Sequence, residues 1–211
     1  MTNHEQQDAG LGQEPSYEAQ EQREAERRMH PRIYVASLSD YNAGTLHGAW
    51  LDADQAVDAI EDGIAAMLAA SPTPQAEEWA IHDYNDFGGV DLGEHESLAL
   101  VAKVAAGLAA YGEAFASWAR LVGRDPGELE RFEDAYLGNW ESLSTYAEGL
   151  LDNLGVTAEL TRLVEQNLGE HLALYVHWDY EALGRDLDYG GDIRTQERDD
   201  GSLDVFEGGA S

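Results

Sequence analysis

Residues 31–51, PRIYVASLSDYNAGTLHGAWL, decide how the folded part of the chain begins. β-branched and aromatic residues enrich 32–38 and 45–51, and the residues between them, 39–44, are typical of a turn. Two such runs separated by a short turn predict a pair of antiparallel strands. The chain is therefore expected to open with a β-hairpin.

A helix and a third strand are predicted after this hairpin. Apolar residues recur at helical spacing over 57–68, and Asp52 or Asp54 is the predicted N-terminal cap of that helix. Residues 78–84 then alternate between apolar and polar types, as a strand does when one of its faces is buried. Together these elements predict a small β-β-α-β module over residues 31–95.

The second predicted module, residues 96–137, is helical throughout. Its apolar residues form stripes at helical spacing. Asp125 followed by Pro126 is typical of a helix start, because proline is tolerated at the first helical position. The helix that begins there is predicted to include Tyr136.

The third predicted module, residues 138–207, belongs to the α+β class. Amphipathic segments predict several helices between residues 142 and 183. Residues 192–196 and 203–206 alternate around an Asp-Gly pair, which predicts a closing hairpin. The whole chain is therefore expected to be an elongated, modular α+β protein, preceded by a polar extension, residues 1–30, that is expected to be mobile.

Net charge is the most unusual property of this sequence. Its 211 residues include 42 Asp and Glu against 12 Lys and Arg, a formal net charge of −30, whereas a small soluble domain carries a charge of magnitude roughly 2 to 8. From Ile33 onward there are 35 acidic and 8 basic residues, a net charge of −27, so the charge belongs to the folded part. The hydrophobic fraction, 43%, is too high for a disordered acidic tail.

Several classes of function lack any support in the sequence. The chain has no Cys, and therefore no disulfide, thiolate nucleophile or cysteine zinc site. It also lacks a nucleophile elbow, a phosphate-binding loop, a dinucleotide fingerprint and an H-E-x-x-H motif. We therefore predict no enzymatic activity, no catalytic residue, no cofactor and no metal site. Without an apolar run of signal-peptide or membrane-spanning length, no membrane association and a cytoplasmic location are expected.

Two stretches, residues 83–94 and 186–197, partly match the spacing of a calcium-binding loop. Both lack an oxygen ligand at the fifth position, where Phe87 and Gly190 stand. The first follows a predicted strand and the second precedes a predicted hairpin, whereas an EF-hand requires a helix on each side. Calcium binding is therefore kept only as an alternative function.

The acidic residues themselves are the candidate binding residues, because they recur opposite the apolar stripes without interleaved lysine. Such a surface repels polyphosphates, so direct binding of nucleic acid is not expected. B-DNA carries about one charge per 1.7 Å of axis, so about 27 charges match roughly 45 Å of duplex. The predicted partner-binding acids are Asp52, Asp54, Asp58, Glu61, Asp62, Glu77, Glu78, Asp83, Asp86, Asp91, Glu94, Glu96, Glu128, Glu130, Glu133 and Asp134.

Three separated motifs resemble the ArdA antirestriction family, in the order and spacing of that family. They are PRIYVASLSDYNAGTLHGAW at 31–50, EEWAIHDYNDFGG at 77–89 and EALGRDLDYGGDI at 181–193. The resemblance implies an elongated, dimeric mimic of bent B-form DNA that occupies the DNA-binding channel of type I restriction-modification enzymes. It also implies that such proteins are carried by mobile genetic elements, and it places the family's antirestriction segment around 140–153.

Adaptation to high salt is a second alternative explanation of the charge. Halophilic proteins are also rich in acidic residues and poor in lysine, and this chain contains a single lysine, Lys103. A halophile-type protein should unfold at low salt, whereas a mimic should fold there.

Overall fold

A computed structural model describes residues 29–123 and 125–209, and it confirms the predicted α+β class. The strands are β1 Arg32–Ser37, β2 Gly48–Asp52, β3 Trp79–Asn85, β4 Tyr136–Trp140, β5 Ile193–Glu197 and β6 Leu203–Glu207. The helices are α1 Leu38–Asn42, α2 Val57–Ala69, α3 Leu98–Tyr111, α4 Glu113–Val122, α5 Pro126–Glu130, α6 Phe132–Ala135, α7 Leu143–Asn153, α8 Val156–Leu168, α9 Glu170–Ala173 and α10 Tyr180–Gly190. The predicted extension lies almost entirely outside the described residues, so its mobility stays a prediction.

The N-terminal sheet has the strand order β2-β1-β3, and all its pairs are antiparallel. The predicted pairing of the first two strands is confirmed, but their connection is the short helix α1 and not a simple turn. Ser37 caps this helix with its side chain. Asp40, inside the helix, is fully buried, and its carboxylate accepts hydrogen bonds from the hydroxyl groups of Ser71 and Thr73, each at 2.5 Å.

The predicted cap of α2 was wrong. The helix begins after Ala56, whose side chain makes no capping bond. Asp52 instead ends strand β2, where it lies opposite Arg32 and pairs with its guanidinium at 3.0 Å. Strand pairing has therefore placed the aspartate on the sheet, away from the helix terminus, while Asp54 lies exposed before the helix.

One hydrophobic cluster joins most of the molecule. It contains the inner face of the N-terminal sheet with Ile33, continues through α2, α3 and α4, and reaches Phe206 on β6. Trp118, fully buried in α4, lies with its ring centroid 5.1 Å from that of Phe206. The cluster has members on both sides of the predicted module boundary at residue 95, and the boundaries themselves stay predictions.

The C-terminal sheet has the order β4-β6-β5. Its hairpin of β5 and β6 confirms the sequence prediction. Strand β4 was not predicted: Tyr136 was assigned to a helix, but it starts the strand and lies opposite Phe206. The helix predicted from Pro126 is divided into α5 and α6, with Asp125 confirmed as the cap of α5.

A buried ion pair holds this sheet together. Arg198, in the β5–β6 turn, donates from Nε and Nη2 to the two carboxylate oxygens of Asp204, at 2.7 and 2.6 Å. Asp204 is fully buried, and it also accepts hydrogen bonds from Tyr136 and Asn139. Burial, reinforced by the negative charge of Asp204, raises the pKa of Tyr136 to about 12.

Much of the segment from Leu154 to Trp178 is left exposed by the rest of the described chain. Neither α8 nor α9 contains a buried residue. Several of its large apolar side chains are more than half exposed, and Leu174 and Tyr175 are each 73% exposed. We call this stretch, residues 154–178, the uncovered segment.

Candidate partner-binding surface

The predicted partner-binding acids lie almost entirely in solvent. Fourteen of the sixteen are exposed, and the other two, Glu96 and Glu128, are half-buried. None of them belongs to the fully buried carboxylates, which are Asp40 and Asp204. Helical and strand spacing therefore separated the surface acids from the core correctly.

Helix α2 shows how the fold presents these acids. Its buried residues are Ile60, Ile64 and Met67, which pack against the sheet. Asp58 and Asp62, on the exposed side, are separated by one helical turn. Like charges at this spacing destabilise a helix by about 0.2–0.5 kcal/mol. The helix contains no lysine that would offset this repulsion.

Half of the predicted acids have no counter-charge among the residues that the structure describes. Their side chains make no hydrogen bond or ion pair with any residue in the described ranges 29–123 and 125–209. A carboxylate with no intramolecular partner keeps its full charge available to another molecule. These eight residues are Asp54, Asp58, Glu61, Asp62, Glu77, Glu78, Glu94 and Asp134.

The remaining acids make local contacts at the surface. Glu130 pairs with Lys103, Glu128 pairs with Arg131, and Glu133 accepts a hydrogen bond from the hydroxyl group of Tyr111. The bond to Glu133 raises the pKa of Tyr111. Exposed pairs of this kind contribute about 0–1 kcal/mol each. Such contacts orient the carboxylates without hiding them.

The basic residues of the described chain are all in contact with other groups of the protein. Six of these eight form ion pairs with carboxylates: Arg32, Lys103, Arg131, Arg162, Arg185 and Arg198. Arg120 donates to the backbone oxygen of Gly88, and Arg194 stacks 5.0 Å from the ring centroid of Trp118. Hence no unengaged basic side chain interrupts the negative surface over the described residues.

The sequence pattern did not predict two exposed features of the structure. Trp118 is buried, but Trp50 is 40% exposed on the outer face of the N-terminal sheet, and no local sequence signal indicated that exposure. The uncovered segment was predicted as helix without any sign that its apolar side would remain in solvent. In both cases the spacing identified an apolar face, but it could not show whether the same chain covers that face.

The two stretches with calcium-loop spacing do not have EF-hand surroundings. Residues 83–94 begin inside β3, and residues 186–190 belong to the last turns of α10. Across the described residues, no three His, Asp or Glu side chains are grouped so that they could hold a metal ion. In the same part of the chain, no helix combines the length and the apolar character needed to cross a bilayer.

The fold and this surface define a strongly acidic α+β protein whose predicted partner-binding acids are nearly all exposed. A family model described as antirestriction protein (ArdA) matches residues 33–199, and the chain belongs to this family. The resemblance found in the sequence is thereby confirmed, and membership implies an antirestriction activity. No curated protein matches the chain in a direct sequence comparison.

Proposed function

We propose that this member of the ArdA family inhibits type I restriction-modification enzymes as a DNA mimic, by occupying the channel in which these enzymes hold DNA. The observation that carries the proposal is a set of eight exposed carboxylates that have no counter-charge among the described residues, whose basic groups are all engaged. A channel that binds DNA must present Lys and Arg to phosphates. The same groups would attract a protein that displays carboxylates in place of phosphates.

Inhibition in this mechanism is stoichiometric. The carboxylates form ion pairs and hydrogen bonds with the basic groups of the enzyme, and no bond is made or broken. Long-range attraction between the two surfaces speeds their encounter, and salt weakens it. Because many acids share the contact, no single exposed carboxylate should be essential.

We propose further that the protein is a homodimer joined through the uncovered segment. A stable interface removes about 800 Å² per partner from water and has an apolar centre. The exposed apolar residues of this segment offer such a centre: they are Leu154, Leu163, Leu168, Leu172, Leu174, Tyr175, Val176 and Trp178. A second copy of the same chain would also double the length of the acidic surface.

Sedimentation velocity over a range of concentrations tests the dimer. Leu174→Asp should shift the protein toward the monomer, because it places a charge in the apolar contact. Leu46→Asp is the matched control, since Leu46 is also 73% exposed but lies before β2 in the N-terminal module. A wild-type protein that sediments as a monomer at all concentrations contradicts the dimer.

The mimicry is tested by competition. A purified type I enzyme is bound to labelled DNA, and the protein is titrated in at two salt concentrations. We expect stoichiometric displacement of the DNA that weakens as salt rises. No displacement even at low salt would refute the proposal.

Two triple variants of α2 separate charge from shape. Asp58→Asn, Glu61→Gln and Asp62→Asn together should weaken the competition and reduce its dependence on salt. Asp58→Glu, Glu61→Asp and Asp62→Glu together retain every charge and should compete nearly as well as the wild type. Equal inhibition by both variants would show that this part of the acidic surface does not contact the enzyme.

A further inference from the structure

The outer face of the N-terminal sheet carries a pair of aromatic side chains that no core residue covers. Tyr34 on β1 and Trp50 on β2 lie opposite each other, with ring centroids 5.5 Å apart. The opposite face of the sheet packs on the hydrophobic cluster, which leaves the two rings on the solvent side. An exposed indole in a surface dominated by carboxylates has a different chemistry from its surroundings.

A glycine makes room for this pair. A Cβ atom on Gly48, beside Trp50 in β2, would lie 2.6 Å from the ring of Tyr34 and 2.5 Å from the carbonyl oxygen of Val35. The ring of Tyr34 can therefore lie across β2 only because residue 48 has no side chain. This close packing fixes the position of Tyr34 next to the indole.

Carboxylates stand on both sides of the two rings. Asp83 on β3 is opposite Tyr34 in the strand register, and Asp52 follows Trp50 by two residues on the same strand. A shallow depression of about 300 Å³ is lined by Arg32, Trp50, Asp83, Tyr84 and Asn85. Asp83 accepts a hydrogen bond from the backbone N–H of Tyr84 at 2.8 Å and forms no ion pair within the described residues.

The chain's own arginine shows which chemistry these groups accept. The guanidinium carbon of Arg32 lies 5.8 Å from the ring centroid of Trp50, and its Nε is 3.0 Å from Oδ1 of Asp52. One edge of the depression thus already combines an aromatic ring with a carboxylate around a guanidinium group. The other edge has the carboxylate of Asp83, which forms no ion pair within the described residues, although Arg32 lines the same depression.

We propose that the depression between Trp50 and Asp83 receives an arginine side chain of the protein partner. This inference rests on the proposed function, because a DNA-binding channel supplies such arginines. The planar guanidinium group stacks on an aromatic ring and donates two hydrogen bonds to one carboxylate, which an ammonium group cannot do. A surface of carboxylates alone attracts lysine and arginine similarly, so this site would add a preference for arginine.

Two peptides test the preference directly. Tetra-arginine and tetra-lysine, both acetylated and amidated, are titrated into the full-length protein while the indole N–H signals are followed by NMR. We expect the arginine peptide to shift the Trp50 signal and to bind about two- to fivefold more tightly than the lysine peptide. Equal affinities for the two peptides would overturn the proposal.

Variants connect the preference to this site. Trp50→Leu and, separately, Asp83→Asn should remove the difference between the peptides. Tyr189→Leu is the control, because Tyr189 is an 86% exposed aromatic residue on α10, away from the sheet, and it should retain the difference. If Trp50→Leu destabilises the sheet, Asp83→Asn still tests the site, since Asp83 is exposed. A preference that persists in both variants refutes the inference.

Competition with the type I enzyme separates this inference from the proposed function. If the wild type does not displace DNA, the proposed function fails. If the wild type displaces DNA and the Trp50→Leu and Asp83→Asn variants do so equally well at every salt concentration, the arginine site fails while the proposed function stands.

Discussion

At the scale of single residues, this chain uses its carboxylates in two ways. Many of them are exposed and have no partner within the described residues, whereas Asp40 and Asp204 are fully buried and satisfied by several donors. A buried carboxylate with good hydrogen bonds stabilises the fold only while it is ionised. The two groups of carboxylates should therefore respond differently to substitution, and Asp40, whose pKa is lowered, should also make stability depend on pH.

Asp40 should make the free energy of unfolding depend on pH in the acidic range. Hydrogen bonds from Ser71 and Thr73 lower the pKa of Asp40 from 3.8 to about 2. Because the folded pKa lies below the unfolded one, its contribution is present above about pH 4 and is lost as pH falls toward about 2. The difference in urea-unfolding free energy between the wild type and Asp40→Asn should shrink across this window, and a constant difference would contradict the assignment.

Arg198 should be the basic residue whose loss costs most stability. Arg198→Ala leaves the buried Asp204 without its ion-pair partner, which costs about 3–5 kcal/mol of unfolding free energy. Arg185→Ala is the control, because its contact with Glu181 is exposed and 3.9 Å long, and it should cost less than about 1 kcal/mol. Urea denaturation measures the loss of unfolding free energy in each variant. Similar losses would show that the buried ion pair contributes no more to stability than the exposed one.

At the scale of elements, close contact between α7 and α10 depends on one glycine. A Cβ atom on Gly184 would lie 2.5 Å from the carbonyl oxygen of Leu143, which is backbone and cannot move aside freely. Gly184→Ala should therefore destabilise the protein by about 1–3 kcal/mol, despite the better helix propensity of alanine. The measurement is again the free energy of unfolding in urea.

Gly190→Ala provides the control within the same helix. The nearest atom to a Cβ there is Oδ2 of Asp192, at 3.3 Å, at the end of a flexible side chain. This substitution should change the unfolding free energy by less than about 0.5 kcal/mol. Equal effects at the two glycines would mean that the α7–α10 contact is looser than its geometry indicates.

Elements whose signals are local could be predicted from the sequence. The strands β1 and β3, the helix α2 and the β5–β6 hairpin have their periodicity and turn residues within a few positions of one another. Strand β4 could not be predicted, because its five residues become a strand by pairing with β6, more than sixty positions later. Asp52 was misassigned for a similar reason, since its partner Arg32 lies on another strand.

The exposed residues of the candidate surface also differ in whether local sequence predicts their exposure. Exposure of the acids follows from helical spacing, which fixes the side of α2 on which Asp58 and Asp62 lie. Exposure of Trp50 depends on which face of the sheet α2 covers, and no short stretch of sequence contains that information. The same limit applies to the uncovered segment, whose apolar residues resemble those of a buried helix.

At the scale of the whole molecule, the net charge of −27 from Ile33 onward opposes the compact state through self-repulsion. The hydrophobic cluster opposes that repulsion without help from salt. We expect the protein to remain folded at about 0.01 M salt, where the screening length is about 30 Å. A protein adapted to high salt would unfold there, and circular dichroism at low and high salt distinguishes the two explanations.

The extent of the hydrophobic cluster also bears on synthesis. Its members run from Ile33 to Phe206, and Phe206 is translated 173 residues after Ile33. At about 5–20 residues per second, roughly 9–35 s separate these two events. During that interval Trp118 and its neighbours lack the ring of Phe206, and the nascent chain therefore exposes apolar surface. Repulsion between the dense negative charges of such chains opposes their aggregation.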